Sequence, residues 1–334
     1  MEKPEPGTDE WLNQAPETVV EPDLPIVDPH HHLWPSASDR DYGPAELLRD
    51  ARSGHRVEQT VFVECGAAYR PDGPMEFATV GETEFVAGEG ARDSHQLIRG
   101  IVGHTDLRLP DLDAVLDAHE AAGQGLFRGI RDALARAREP HESLVGDAPA
   151  NLYQDPAFRA GVVRLGERGL LYESWHYHYQ NREFLKLARA APSTTMVLDH
   201  FGGPLGVGPY AGKREEIFQE WKADIAELAR CENVVSKLGG MGMAANGFGW
   251  NTADRPPTSD EFIAAQARYY LHTVECFGPE RCMFESNFPV DRQSLSYRTL
   301  WNAFKKMTAD FAASERADMF AGTAQRVYRL ALHP

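Results

Sequence analysis

The sequence predicts a closed (β/α)8 barrel of the TIM type, carrying a short N-terminal arm and long loops after its second and seventh strands. Three observations predict it. Eight short apolar runs alternate with amphipathic stretches, and each run begins rich in Val, Ile, Leu or Phe and turns polar at its end. A parallel strand shows this gradient where it leaves a dry core at its C-terminal end. No GxGxxG motif follows the first run, which argues against an open dinucleotide-binding sheet.

Taken in order, residues 1–24 are acidic and Pro-rich and lack an apolar h-region. They read as an arm or tail rather than a secretory signal, and the barrel domain occupies 25–334. The strand runs are IVDPHHHLW from Ile26, VEQTVFVECG from Val57, LIRGIVGHTDL from Leu97 and LFRGIRDAL from Leu126. They continue as GLLYESWHYH from Gly169, TMVLDHFGG from Thr195, NVVSKLGG from Asn233 and RCMFESNFPV from Arg281. Helical spacing lies between them. Asp111 stands where it can cap a helix with Leu112, Val115, Leu116 and His119 on one face. Ile217, Trp221, Ile225 and Leu228 share another. Thr258 and Glu261 form a capping box ahead of Phe262, Tyr269, Tyr270, Val274 and Phe277. Two stretches exceed what a strand-to-helix loop needs, Gly66–Gly90 and Met241–Pro257. Such loops are often lids or substrate walls. Phe248 and Trp250 suggest a lid in the second, because large aromatic rings are poor solvent residues.

The chain has 334 residues, 42% hydrophobic and 25% charged, with a net charge of −16. This is an ordinary soluble composition, with no apolar run long enough to span a bilayer and no basic patch for nucleic acid. The expected partner is a small molecule, with no nucleic acid or membrane; a homo-oligomer is compatible with the sequence. The four cysteines form no CxxC pair. Reduced thiols in a cytoplasm are the simplest expectation.

The strand ends carry the unusual residues. In an extended chain i and i+2 point the same way, so His30 and His32 can converge on one atom while His31 points elsewhere. His200 ends the sixth run and faces the same mouth. Glu173, His176 and His178 end the fifth. Glu173 sits in an apolar context that demands a partner, and Arg131, ending the fourth run, is the expected one, or else binds a substrate carboxylate. Lys237 ends the seventh run, followed by Gly239 and Gly240, which allow close backbone approach. Glu64 ends the second run, His104 the third, and Glu285, Asn287 and Asp291 cluster at the eighth.

These residues carry a resemblance. DPHHHLW from Asp28, FRGIR ending at Arg131, VLDHFGGP from Val197, VSKLGG from Val235, ESNFPVD from Glu285 and FAGTAQRVYRL from Phe320 resemble the amidohydrolase-2 branch of the amidohydrolase superfamily, which includes dicarboxylate-pyrone lactonase, sulfomuconolactone hydrolase and sugar lactonases. The resemblance implies that His30, His32 and His200 are the histidines that hold zinc, manganese or a similar ion in metal-dependent members, and that donate hydrogen bonds to the carbonyl in metal-independent ones. It also implies an Asp on the eighth strand as general base, where this chain has Asn287. An amide takes no proton at neutral pH, so either Asp291 or Glu173 takes the base role or Asn287 only orients water, and a divalent metal keeps fewer anionic ligands.

The function expected is hydrolysis of a lactone or related cyclic ester by activated water. The catalytic set is His30, His32, His200, Asp291, Asn287 and Glu173. The substrate-binding set is Arg131, Lys237, His176, His178, Trp250, Glu64 and His104, with Phe248, Trp175 and Tyr177 as further walls. Two alternatives stand beside it: non-oxidative decarboxylation of an aromatic or muconate-like acid, and a ligand-binding barrel without catalysis.

Overall fold

The computed structural model describes residues 3–36, 42–144, 146 and 148–331. Eight strands, β1 (Pro25–His31), β2 (Arg56–Val63), β3 (Ile98–Gly103), β4 (Phe127–Ala133), β5 (Leu171–Trp175), β6 (Met196–Leu198), β7 (Val234–Leu238) and β8 (Cys282–Phe284), form one parallel sheet in sequence order. The helices are α1 (Asp9–Leu12), α2 (Pro44–Ala51), α3 (Val80–Arg92), α4 (Leu112–Ala122), α5 (Pro156–Glu167), α6 (Asn181–Ala190), α7 (Arg214–Leu228), α8 (Ser259–Phe277), α9 (Tyr297–Met307), α10 (Ala313–Ala317) and α11 (Thr323–Val327). Every predicted run contains a strand, and together with the interleaved helices they make a (β/α)8 barrel.

The barrel closes by a bridge rather than a full ladder. Beyond β8, His31 pairs with Phe288, the His32 amide donates to Phe288 O at 2.8 Å, and the Asn287 amide donates to His30 O at 3.0 Å. Asp28 ties the same seam: its carboxylate accepts from the Ser286 amide at 2.9 Å and the Tyr297 hydroxyl at 3.0 Å. The two chain segments richest in candidate residues are thereby held edge to edge.

Alternation along the strands divides the core. Val27, Val61, Val63, Val102, Leu171, Val197, Val235 and Met283 fill the barrel with Ala324, Tyr328 and Leu330 of the C-terminal segment. Their neighbours Ile26, Phe62, Ile101, Tyr172, Met196, Val234 and Phe284 pack outward under the helices. β-Branched residues dominate the interior because their stiff side chains fill the layered space of a small barrel.

Two expectations are corrected here. The stretch Gly66–Gly90 is not all loop, because α3 begins at Val80. Its glycines concealed it. At Gly81 a Cβ would lie 2.6 Å from Ala68 O, so close approach to the preceding loop requires glycine there. Glu82 then anchors that loop, accepting from the Cys65 and Ala67 amides at 3.0 and 2.8 Å. In the loop after β7, Trp250 stacks between Phe248 (5.2 Å) and Phe262 of α8 (5.5 Å). Both rings serve packing against α8 rather than the barrel mouth. The Thr258–Glu261 capping box forms as expected, whereas Asp111 occupies the N-cap of α4 without a side-chain cap bond.

The N-terminal arm lies against the barrel. Trp11 is fully buried and donates from Nε1 to Ala253 O at 3.1 Å. Asp9 pairs with Arg292, and the Val20 amide donates to Asn302 Oδ1 at 2.8 Å.

Candidate active site

A cavity of about 580 Å³ opens at the C-terminal ends of the strands, and His32, Glu64, Arg131, His200 and Asn287 all line it. Trp34, Trp175 and Tyr177 give it aromatic walls, and Met243, Ala244 and Ala245 close the side toward the loop after β7. His30 is fully buried beneath the two lining histidines. Its ring centroid is 4.9 Å from that of His32 and 4.7 Å from that of His200. The i, i+2 rule holds: His30 and His32 approach to 3.3 Å between their Nε2 atoms, while His31 turns the other way and packs edge-on to Phe62.

His200 reaches this cluster through a strained turn. It and Phe201 both take left-handed backbone conformations (φ 51° and 55°), which non-glycine residues adopt only where surroundings enforce them. The enforcement comes partly from β7. A Cβ on Gly240 would lie 2.3 Å from His200 Nδ1, and one on Gly239 would lie 2.3 Å from Glu285 Cγ. Both glycines are needed for close approach, as their place in the sequence suggests.

Glu285 organises the rear of the site. One carboxylate oxygen accepts from His200 Nδ1 at 2.6 Å, and the other lies 2.8 Å from His30 Nδ1. His32 Nδ1 donates to Val63 O at 2.8 Å. Each imidazole is thus oriented through Nδ1, the arrangement by which an outer acceptor fixes a ring and raises its basicity. Burial drives the pKa of His30 and His32 well below the ordinary range, with Lys237 and Arg131 respectively adding to the effect. In both rings burial thus favours the neutral form. For His200 burial acts downward too, but the Glu285 carboxylate outweighs it and the net shift is upward.

Behind the histidines lies a buried charge network. Lys237 Nζ donates to Glu173 at 2.6 Å, lies 3.4 Å from Asp199 and sits 3.2 Å from His30 Nδ1. The Tyr328 hydroxyl donates to the other Glu173 oxygen at 2.5 Å. This corrects the expected Glu173–Arg131 pair. The two residues are register neighbours across β4 and β5, yet Arg131 donates from Nε to Glu64 at 3.0 Å, donates again to Glu64 O, and lies 3.7 Å from Asp199. Lys237 and Glu173 are fully buried and lie outside the cavity lining. The expected roles of Lys237 on substrate and of Glu173 as base therefore find no support in their placement.

Asp291 is also fully buried. It accepts from the Gly242 amide at 2.9 Å and from Asn287 Nδ2 at 2.9 Å. Burial pushes its pKa up to about 7. Its contact with Asn287 orients the amide: Nδ2 faces the acid, which turns Oδ1 away from it.

Three further expectations separate from the cavity. His176 is buried behind the barrel wall, its ring nitrogens engaged by Tyr153 and Ser174 on one side and Asn181 on the other. His178 lines a separate depression with Arg138 and Tyr179, and His104 lines a neighbouring cavity with Asp132. The sequence reading gave no role to Glu285 or Asp199. A carboxylate following the apolar run of β8 was the available signal for Glu285.

The donor set fits a divalent ion. Two nitrogens each about 2.0 Å from one tetrahedral ion stand about 3.3 Å apart, the separation found between the Nε2 atoms of His30 and His32. Glu285 Oε2 has no hydrogen-bond partner among the described residues. A proton on His30 Nδ1 would satisfy it, and that tautomer turns bare Nε2 lone pairs of both rings toward each other, where a cation belongs. Donor atoms of His30, His200 and Glu285, and of His30, Glu173 and Asp199, also lie within 4.8 Å of one another. Those sets use the rear face that Lys237 already occupies, so the Nε2 face is the better fit.

The chain belongs to the amidohydrolase family, whose model matches residues 27–330. It is 32% identical over 329 residues to uncharacterized protein y4mH of Sinorhizobium fredii, covering 92% of this chain and 99% of that one. It is 26% identical over 239 residues to an L-fucono-1,5-lactonase of Burkholderia multivorans, covering 70% of this chain and 72% of the relative. Among solved structures it resembles an amidohydrolase from Burkholderia multivorans, crystallised with HEPES and in another form with zinc. That likeness has a TM-score of 0.70 and 24% identity, over 92% of this chain and 99% of the other.

Proposed function

We propose that this amidohydrolase opens a neutral, hydroxyl-bearing lactone by attack of water on the ring carbonyl. The observation that carries the reading is the charge state of the cavity. Arg131 is its one cation among the described lining residues, and it is already engaged by Glu64 and Asp199. A carboxylate-bearing substrate would find no unpaired cation there. A sugar-like lactone would find Glu64, Ser143, Asn287 and Gln293 for its hydroxyls and the rings of Trp34 and Trp175 for its C–H faces. The L-fucono-1,5-lactonase among the relatives supports the same class.

His200 is the proton acceptor in this reading. Glu285 holds its Nδ1–H at 2.6 Å and raises its pKa against burial. That leaves Nε2 basic at the cavity wall, and the carboxylate stabilises the imidazolium that forms. Asn287 Oδ1 accepts a hydrogen bond from the attacking water and orients it. The same His200 proton then passes to the departing ring oxygen. His30 and His32 would hold a divalent ion through Nε2, with His200 as a third ligand if it gives up its base role; bound there, the ion supplies Lewis-acid polarisation of the carbonyl and acidifies water.

The test is elemental analysis of the purified protein, with turnover of a panel of cyclic esters before and after chelation. Activity on neutral sugar lactones that exceeds activity on carboxylated ones supports the reading. Turnover that survives chelation keeps His200 as the base, whereas loss on chelation makes it a ligand. Absence of turnover on every cyclic ester, with carbon dioxide released from an aromatic acid, would replace the hydrolase by a decarboxylase.

A further inference from the structure

A second cavity of about 330 Å³ adjoins the first at the same end of the barrel. Glu64 and Ala133 line both. Its walls come from the segments following β2 and β3 and from the C-terminal end of β4: Tyr69, His104 and Asp132, with Leu152 and Phe158 as apolar lining. The candidate chemistry above uses none of these residues except Glu64.

The lining carries three carboxylates, Glu64, Asp106 and Asp132, against Arg108 and His104, and is incompletely satisfied. Asp132 is 4% exposed, and its Oδ2 has no hydrogen-bond partner among the described residues. A buried carboxylate without donors is costly, so the site favours a group that brings a hydrogen. His104 Nδ1 lies 3.0 Å from Arg131 O and 3.4 Å from Asp132, which leaves Nε2 for a ligand. Arg108 also lines the cavity, but its guanidinium is spent on Asp106 in two bonds of 2.8 Å. An anionic ligand would meet Asp132, Glu64 and Asp106. A cationic one would meet Arg108 and a His104 whose pKa is raised. Hydroxyl groups, which donate to carboxylates and accept from a ring N–H, suit both. Tyr69 is 36% exposed, one of the few large apolar side chains at the surface, and offers a ring for a C–H face to stack on.

We propose that this cavity is an accessory subsite for a neutral polyhydroxylated ring attached to the scissile lactone, so that the substrate spans both cavities across Glu64. The catalytic arm of this inference rests on the lactone reading; the binding arm does not. The probe for binding is methyl β-D-glucopyranoside, followed by saturation-transfer NMR on the full chain, its Asp132→Asn variant and its Tyr69→Ala variant. Binding to the parent that weakens about tenfold in either variant, the size expected for one charge-assisted bond or one stacked ring, supports the subsite. The catalytic arm compares glucono-1,5-lactone with cellobiono-1,5-lactone. Both variants should raise KM about tenfold for the two-ring lactone only and leave kcat unchanged. Glycoside binding lost in the variants, with neither lactone turned over, would retain the subsite and remove the lactone reading. Turnover of the one-ring lactone with no glycoside binding, or with equal effects on both lactones, would overturn the subsite and leave a cavity that holds water only. Tyr69 stands in a surface loop, so its variant remains informative if Asp132→Asn fails to fold.

Discussion

Replacing Glu285 by Gln asks one carboxylate to become an amide where two imidazoles depend on it. Glu285 is fully buried and takes His200 Nδ1 at 2.6 Å and His30 Nδ1 at 2.8 Å. Glutamine keeps one acceptor oxygen and turns an NH2 toward the other ring, so one of the two rings loses its anchor. The charge that raises the His200 pKa against burial disappears with it, and His200 becomes a weaker base. Outer acceptors of this kind are worth about 10–100-fold in activity or metal affinity, which corresponds to about 1.4–2.7 kcal/mol of barrier. The assay is kcat/KM for a lactone substrate as a function of pH, with thermal unfolding in parallel. A loss in this range, with the acidic limb of kcat/KM moved to lower pH and the fold intact, agrees with the geometry. A variant within twofold of the parent and with the same pH profile would refute the organising role of Glu285.

Other outcomes follow from the same structure. Lys237→Met removes the buried cation shared by Glu173 and Asp199, leaving them only Tyr328 and the more distant Arg131, and should destabilise the protein by about 3–5 kcal/mol, read as a drop in denaturation midpoint; an unchanged midpoint would mean the network is not coupled. Gly240→Ala puts a Cβ 2.3 Å from His200 Nδ1 at a φ of 69°, and should depress kcat at least tenfold, about 1.4 kcal/mol, while the far-ultraviolet circular dichroism stays native. His31 is fully buried with neither ring nitrogen bonded among the described residues, and burial lowers its pKa to about 3. Its folded-state pKa lies below the unfolded value, so the stability associated with the neutral ring is present above about pH 6.5 and is lost as the pH falls toward 3. His31→Phe should therefore gain on the parent by up to about 1.4 kcal/mol for each pH unit below 6.5, measured by unfolding at pH 7, 6 and 5. A constant difference across that range would contradict a buried, neutral His31.

The sequence was legible where one periodicity decides the outcome. Eight polarity gradients located eight strands, and the i, i+2 spacing of His30 and His32 placed both rings together because a strand permits no other arrangement. His176 shows the same rule used too little. Glu173 points into the barrel, so with period two Ser174 and His176 point out, and His176 finds Tyr153 and Asn181 behind the wall. Ion pairs were the least legible part. Arg131 and Glu173 do lie side by side in the register, but the choice of partner was made by Glu64 and Lys237, which reach in from β2 and β7. Glu285 was visible at the end of the eighth run, but its role was not: its two histidines follow β6 or lie in β1, and nothing local to ESNFPVD signals them. Trp250 looked like a lid residue because its ring needed cover; Phe262, on the following helix, supplies it.

Tyr328 gives the site a dependence on time as well as on geometry. Its hydroxyl rises through the floor of the barrel to Glu173, the carboxylate that holds Lys237 under His30. During synthesis the lining residues of the catalytic cavity, the last of which is Gln293, are all made before Tyr328. A chain at that stage contains the whole mouth of the site but lacks the donor that completes its foundation, and its barrel interior still lacks Ala324, Tyr328 and Leu330. Completion of the site's foundation thus waits on the segment from Ala324 to Leu330, and a break in that segment would undo the site from the side opposite its cavity.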